Sequence, residues 1–411
     1  MSKNNHHQKF TPAEGGAAAP RGFYAAGVHC GIKKVKKDLA LIFSEQPAAV
    51  AAVFTTNRTL AAPLIVDKLQ LKKSRTCSAV VVNSGNANAC TGKRGLQDAW
   101  TMIKQGAKVL KVSPDHVLAS STGVIGKLLP MGKVQAGIRA AAKLLSRRSH
   151  IDAAHAILTT DTFPKEYAVA FNIGSTAVTV GGMAKGSGMI APRLIGATML
   201  AFISTDVAIS SRLLQSALTS AVNKSFNRIS VDGDTSTNDM VLLMANGLAK
   251  NRLMKENTLD YRRFCAALDH VLIVLAKMVA RDGEGATKLI EVVVTGAQKE
   301  NEAVQAARAI ANSNLVKTAV HGADANWGRI LAAVGYSGIT FVPEKVEISF
   351  DHLPILKRNF QANFSEQKAR AALSNEHVNI TVDLNLGNKS ATFWTCDLSK
   401  EYVSINASYR T

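Results

Sequence analysis

The sequence has no CxxC pair, no long apolar run and few aromatic residues. Its five cysteines, Cys30, Cys77, Cys90, Cys265 and Cys396, are odd in number and scattered, which argues against a zinc site and against a disulfide framework. No stretch is long and apolar enough to span a bilayer. The polar, basic start Met1 to Phe10 is followed by none of the apolar sequence that a secretory signal requires, so a cytoplasmic location and no membrane partner are expected. The ten histidines form no pair at metal-binding spacing, so no metal is expected. Acidic residues are scarce too: 30 Asp and Glu stand against 49 Lys and Arg, a net charge of +19. The basic residues fall in short groups (Lys33, Lys34, Lys36, Lys37; Lys72, Lys73, Arg75; Arg147, Arg148) without interleaved aromatics. Charge runs of this kind are usually solvated faces. No nucleic-acid partner is therefore expected, although a basic surface also attracts a small anionic substrate.

What is present is enough apolar material for a large core: 47% of 411 residues, a length that suggests two or three domains. Residues 1–20 mix polar, glycine and small residues without periodicity and are expected to be a disordered leader. Ser78 to Asn83 is a β-branched run feeding the polar segment Asn83 to Gly92. Met131 to Leu145 and Asp260 to Arg281 carry helical apolar spacing. A third helix is expected from Asp206 to Val222, capped by Thr205 or Asp206. Ala168 to Ile173 and Thr176 to Gly182 flank Gly174-Ser175, a hairpin turn with glycine first. Leu289 to Thr295 reads as a strand and Glu302 to Ala311 as a helix. Toward the C-terminus, Val346 to Phe350 and Val378 to Leu386 alternate with period two and predict half-buried strands, and the chain then turns into Ala391 to Asp397. Helices and strands interleave, so the fold class is α/β, with mixed sheets packed by helices.

The segment Lys185-Gly-Ser-Gly-Met-Ile-Ala-Pro-Arg-Leu-Ile-Gly-Ala-Thr198 runs from a glycine-rich loop into a junction of small residues. Small residues before a threonine leave the preceding carbonyl open. The Thr198 hydroxyl can attack the Ala197 carbonyl and shift the acyl group from nitrogen to oxygen, and water then releases a new N-terminus. The freed α-amine, with an ordinary pKa of about 8, can serve as base to its own hydroxyl. An ordinary turn is the other reading of such a dipeptide. The loop lacks the Gly-Lys-Ser/Thr ending of a phosphate-binding loop. Asp232, Asp234 and Asp239 resemble a divalent-metal cluster, but turns rich in Asp, Asn and Thr are usually structural.

From Pro20 to Thr411 the sequence resembles the ornithine acetyltransferases, bifunctional enzymes of arginine biosynthesis. The resemblance rests on ordered segments, among them Phe54-Thr-Thr-Asn-Arg58, Asn83-Ser-Gly-Asn-Ala-Asn88, Ser121-Thr-Gly-Val-Ile-Gly126, Thr159-Thr-Asp-Thr-Phe-Pro-Lys165, Lys185-Gly-Ser-Gly188, Ala197-Thr-Met-Leu-Ala-Phe202, Asp282-Gly-Glu-Gly-Ala-Thr-Lys288 and Gly322-Ala-Asp-Ala-Asn-Trp-Gly-Arg329. It implies a self-processing architecture like that of the N-terminal-nucleophile enzymes, cut between Ala197 and Thr198 into fragments 21–197 and 198–411 that stay associated, two copies of each. It makes Thr198 the nucleophile, Thr122 and Gly123 the oxyanion hole, and Thr159, Lys185, Thr198, Glu284, Asn406 and Thr411 the substrate-binding residues. It implies no cofactor, with acetyl-CoA as a possible co-substrate. Two features depart from the family pattern: the link Arg193-Leu-Ile-Gly196 is longer than usual, and His321 stands where an aromatic or aliphatic residue is commoner.

Competing readings differ in what takes the acyl group. Transfer from N-acetylornithine to glutamate, acetylation of glutamate from acetyl-CoA, and hydrolysis by an aminopeptidase or amidase on a related scaffold all use the same nucleophile. A basic nucleic-acid-binding protein without catalysis would show instead a steep salt dependence of retention on DNA.

Overall fold

The β-branched and small-residue runs build two sheets. The structure, a computed structural model, describes residues 10–191 and 199–408. Ala197, Thr198 and Thr411 therefore lie outside the described residues. The strands in chain order are β1 (Thr11–Pro12), β2 (Phe23–Val28), β3 (Leu39–Phe54), β4 (Thr76–Asn86), β5 (Val117–Val124), β6 (Lys165–Ile173), β7 (Thr176–Lys185), β8 (Leu200–Thr205), β9 (Met240–Ala245), β10 (Leu289–Ala297), β11 (Glu347–Phe350), β12 (Leu353–Leu356), β13 (His377–Asp383) and β14 (Lys389–Cys396).

A nine-stranded sheet runs β1-β6-β7-β8-β9-β3-β4-β5, with β2 also on β3. Strand β3 is long enough to serve twice: Leu39 to Phe43 pairs with β2 and β4, and after a register shift Ala49 to Phe54 pairs with β9. Pairs β4–β5 and β8–β9 are parallel, so two functional strand ends point the same way as their neighbours. The second sheet runs β12-β11-β13-β10-β14. Its strand β10 is parallel to β13 on one side and antiparallel to β14 on the other, which makes both sheets mixed, as the interleaved periodicities predict.

Helices Ser211–Lys224 and Leu259–Arg281 bury Leu214, Leu218, Leu272, Leu275 and Val279 against β6 to β9. The second sheet has its own core with helix Glu300–Asn312. Two expectations need correction. Residues 10–20 do not form a disordered leader: β1 pairs with β6, and Ala17, Ala18 and Ala19 are buried, because small side chains let this segment lie close against Gly181 of β7. The helix expected from Asp206 begins at Ser211, capped by Ser210 Oγ accepting from the Leu213 N–H. Asp206 is buried instead and accepts from the Thr179 N–H at 2.8 Å. A carboxylate reached by a strand amide from a distant part of the chain is unavailable as a cap.

Candidate active site

The parallel pair β4–β5 carries the first wall. At its end, the register shifts at Gly85 and Asn86, and Gly123 has φ of 128°. A Cβ there would collide with the backbone of Gly85 and Asn86, so only glycine lets the two strands close at this height. Ser121 Oγ donates to Asn83 Oδ1 at 2.6 Å. Asn238 Nδ2 donates to the carbonyls of Ala87 (2.6 Å) and Ser121 (2.8 Å), pinning both strand ends with one amide. Thr122, 8% exposed, and the Gly123 backbone are thereby fixed at the cavity edge.

The β7–β8 hairpin carries the second wall. Its final register pair is Lys185 with Leu200, and Leu200 follows Thr198 by two residues in the sequence. The Met240 N–H donates to the Met199 carbonyl at 3.0 Å. Upstream, Asp232 holds the approach: its carboxylate accepts from the N–H groups of Met189 (2.6 Å) and Ile190 (2.8 Å), and Thr235 Oγ1 donates to the Ala191 carbonyl. Asp232 thus spends its oxygens on backbone, and burial pushes its carboxyl pKa up. Among the described residues no group of His, Cys, Asp and Glu is placed to hold a metal ion.

Lys185 Nζ donates to Thr159 Oγ1 at 2.8 Å and to Thr122 Oγ1 at 3.4 Å. Burial pushes its pKa down, and Asp161 offsets this. The third wall comes from the C-terminal half. Glu284 follows helix Leu259–Arg281, and its N–H donates to the Ser187 carbonyl. Its carboxylate lies where a Cβ on Gly188 would be, and Oε2 accepts from Asn406 Nδ2 at 2.8 Å. Tyr402, one turn earlier on helix Lys400–Ser408, donates to Asp232 Oδ2 at 3.4 Å. Burial and the nearby Asp232 and Glu284 charges push the tyrosine pKa up.

These walls enclose a cavity of about 240 Å³. Of the residues singled out in the sequence, it brings together Thr122, Gly123, Thr159, Lys185, Glu284 and Asn406, beside Met199 and Leu200. Asp232, Asn238, Asp239 and Tyr402 also line it and were not assigned substrate roles from the sequence. From the sequence, the segment Asp232 to Asp239 reads as a family-like stretch and as a metal-like cluster or structural turn, without a substrate role. Nothing periodic marks Tyr402. The cavity lining includes the Lys185 ammonium, the hydroxyls of Thr122 and Thr159, the Gly123 backbone and the carboxylates of Asp232, Asp239 and Glu284. It therefore suits a small zwitterion better than a phosphate or a polymer.

A model of the ArgJ family matches residues 24–411. The arginine biosynthesis bifunctional protein ArgJ of Caldanaerobacter subterraneus is 51% identical over 402 residues, 97% of this chain and 99% of that protein. The solved arginine biosynthesis bifunctional protein ArgJ of Bacillus halodurans is 50% identical, with a TM-score of 0.51 over 52% of this chain and 100% of that chain. A solved ornithine acetyltransferase of Mycobacterium tuberculosis, complexed with ornithine, is 39% identical, with a TM-score of 0.42 over 45% of this chain and 100% of that chain.

Proposed function

This chain belongs to the ArgJ family, and from that premise we propose that it moves acetyl from N-acetylornithine to glutamate through an ester on Thr198, after cutting itself between Ala197 and Thr198. The observation that carries this reading is the cavity: residues drawn from strands and turns far apart in sequence converge beside Met199 and Leu200, the immediate successors of Thr198.

In the first step the Thr198 hydroxyl attacks the Ala197 carbonyl, the C–N bond breaks to leave an ester, and water hydrolyses the ester. The products are a carboxylate on Ala197 and a free α-amine on Thr198. In transfer, that amine takes the hydroxyl proton as oxygen attacks the acetyl carbonyl, and the proton passes to the departing ornithine amine. Glutamate then attacks the acetyl ester by the reverse path. Each step passes through a tetrahedral oxyanion. Thr122 Oγ1 accepts from Lys185, which leaves its own hydrogen free to donate to that oxyanion beside the Gly123 amide. Lys185 supplies a fixed cation for the α-carboxylate that donor and acceptor share. Glu284, also in the cavity lining, suits the positive end of ornithine. Asn406 completes this wall, and Thr411 belongs to the same proposed pocket.

Cleavage has support in the lengths of the relatives. The curated Caldanaerobacter protein corresponds to 97% of this chain, whereas the whole of the solved Bacillus halodurans chain corresponds to 52%, the share left to one fragment after a cut near residue 198. The fragments would stay together, since β7 and β8 pair across the junction, β3 pairs with β9, and one core draws on both halves. Two copies of each fragment and a cytoplasmic location complete the proposal. The latter is consistent with five cysteines that remain free.

Intact mass spectrometry after incubation with N-acetylornithine alone tests the scheme. The expected result is two fragments, 1–197 and 198–411, the second heavier by one acetyl group that glutamate removes. Active protein running as a single 43.7 kDa species overturns the cleavage, and an unmodified second fragment overturns the ester. Native mass measurement checks the two-plus-two assembly.

A further inference from the structure

Behind Lys185 lies a group of charges that the proposed chemistry does not use. Asp161 and Lys165 have fully buried side chains, and that of Asp282 is 3% exposed. Lys165 Nζ donates to Asp161 Oδ1 at 2.8 Å and to Asp282 Oδ2 at 2.5 Å. Asp161 reaches further than this pair. Its Oδ1 also accepts from the Gly186 N–H at 2.6 Å, and its Oδ2 accepts from the Thr159 N–H at 2.9 Å and stands 4.0 Å from Lys185 Nζ. One carboxylate therefore touches the residue after Lys185, the backbone of Thr159, and the ammonium that both residues orient.

We propose that Asp161 is a positioning residue of the transfer reaction: its carboxylate keeps Lys185 charged and aimed at the cavity beside Thr159. This rests on the reading of Lys185 as the partner of the substrate α-carboxylate. Geometry gives the division of labour. Lys165 takes the short contacts to both aspartates, so Lys185 is the less compensated of the two cations, and an entering carboxylate supplies what is missing. A buried ammonium without a nearby anion loses its proton readily. Asp161 supplies that anion from beneath, where it does not compete for the substrate.

The charged groups that face Lys185 are Asp161 and Lys165 from the Thr159–Lys165 segment, Glu284 from the turn after Leu259–Arg281, Asp239 from just before β9, and Lys33 from the loop before β3. Burial and Lys165 lower its pKa, while Asp161, Glu284 and Asp239 raise it. Neutralising Asp161 therefore makes Lys185 deprotonate at lower pH, and neutralising Lys165 does the opposite.

The test is the pH profile of kcat/KM for glutamate and for N-acetylornithine, measured on cleaved enzyme. In Asp161→Asn the alkaline limb should move to lower pH by about one unit or more, the usual size for losing an opposite charge at this range, with KM raised for both substrates. Asp161→Glu, which keeps the charge, should restore the limb. Lys165→Gln gives a second reading of opposite sign, a limb moved to higher pH, and serves where Asp161→Asn does not fold. An unmoved limb in Asp161→Asn, or a downward shift in Lys165→Gln, overturns the proposal. Lys185→Ala separates the two levels. If it leaves both KM values unchanged, the reading of Lys185 itself fails; if it raises them while Asp161→Asn leaves the limb in place, only the role of Asp161 fails.

Discussion

Asn406 Nδ2 donates to Glu284 Oε2 at 2.8 Å, so a helix with no buried residue of its own is tied to the floor of the cavity. The helix Lys400–Ser408 is further held by polar contacts, Tyr402 to Asp232 from within it and Ser399 Oγ to the Gly285 carbonyl just before it. Function and stability should therefore separate here. Deleting residues 406–411 should abolish acetyl transfer and shift the melting temperature by only a few degrees, on the order of 1 kcal/mol for a chain of this size. Full activity in the truncated enzyme would remove Asn406 and Thr411 from the pocket.

Gly188 is a glycine for a steric reason: a Cβ would occupy the Glu284 carboxylate. Gly188→Ala should displace Glu284, break its bond to Asn406, and cost about 1–3 kcal/mol of stability through overpacking, read by urea denaturation. The KM for N-acetylornithine should rise with it. Gly132→Ala is the control, because nothing lies within 4 Å of a Cβ there and the position is helical, so stability should be unchanged or higher.

Thr122 serves the tetrahedral intermediates of both cleavage and transfer in the proposed scheme. Thr122→Ala should slow both, with turnover of already cleaved enzyme falling by about 10²–10³, the usual loss for one such donor. The Gly123 backbone stays in place in that variant, so some activity should survive. A loss within about twofold would count against the assignment, since it is far below that range.

Asp397 makes a pH prediction away from the cavity. It accepts from the Thr287 N–H and hydroxyl, the Lys288 N–H and His321 Nδ1, the last at 2.7 Å. Burial pushes its carboxyl up, but Thr287, His321 and the Lys288 amide outweigh it and hold the pKa below the usual value. A carboxylate held low in the folded state stabilises it above the unfolded value of about 3.9, and that contribution is lost as pH falls through the folded value. Asp397→Asn should thus lower stability at neutral pH and flatten the loss between about pH 5 and the acid limit. Chemical denaturation at several pH values measures it, and an unchanged acid slope would show that Asp397 is not a source of the acid sensitivity.

Much of the local structure was legible. The Gly174-Ser175 turn fixes the β6–β7 hairpin, where Ile173 pairs with Thr176. The spacing of Leu268, Val271, Leu275 and Val279 appears as the buried face of Leu259–Arg281. Residues 10–20 misled because small, polar and glycine residues look alike whether solvated or packed against a sheet. Asp206 misled because Asp before an apolar stretch reads as a cap, whereas its partners Arg21 and Thr179 are remote in sequence. The same distance hides Asp161, Asp232 and Asn238. Each makes at least one hydrogen bond to a backbone atom 25 or more residues away, and a polar side chain spent in this way leaves no periodic trace.

The sequence by itself determined several of the helices and strands, among them the β6–β7 hairpin and Leu259–Arg281, since these follow from local periodicity and turn chemistry, and it supplied the small-residue junction before Thr198 that the proposed nucleophilic chemistry needs. Only the tertiary structure decided which polar residues meet. Lys185, the last residue of β7, donates to Thr122 and Thr159, which are 63 and 26 residues away in the chain, and Glu284 reaches Gly188 and Asn406 because a long helix delivers it there. The cavity depends on the register of strands that are distant in the chain. Register is set by burial and pairing across the whole sheet, and no single segment encodes it.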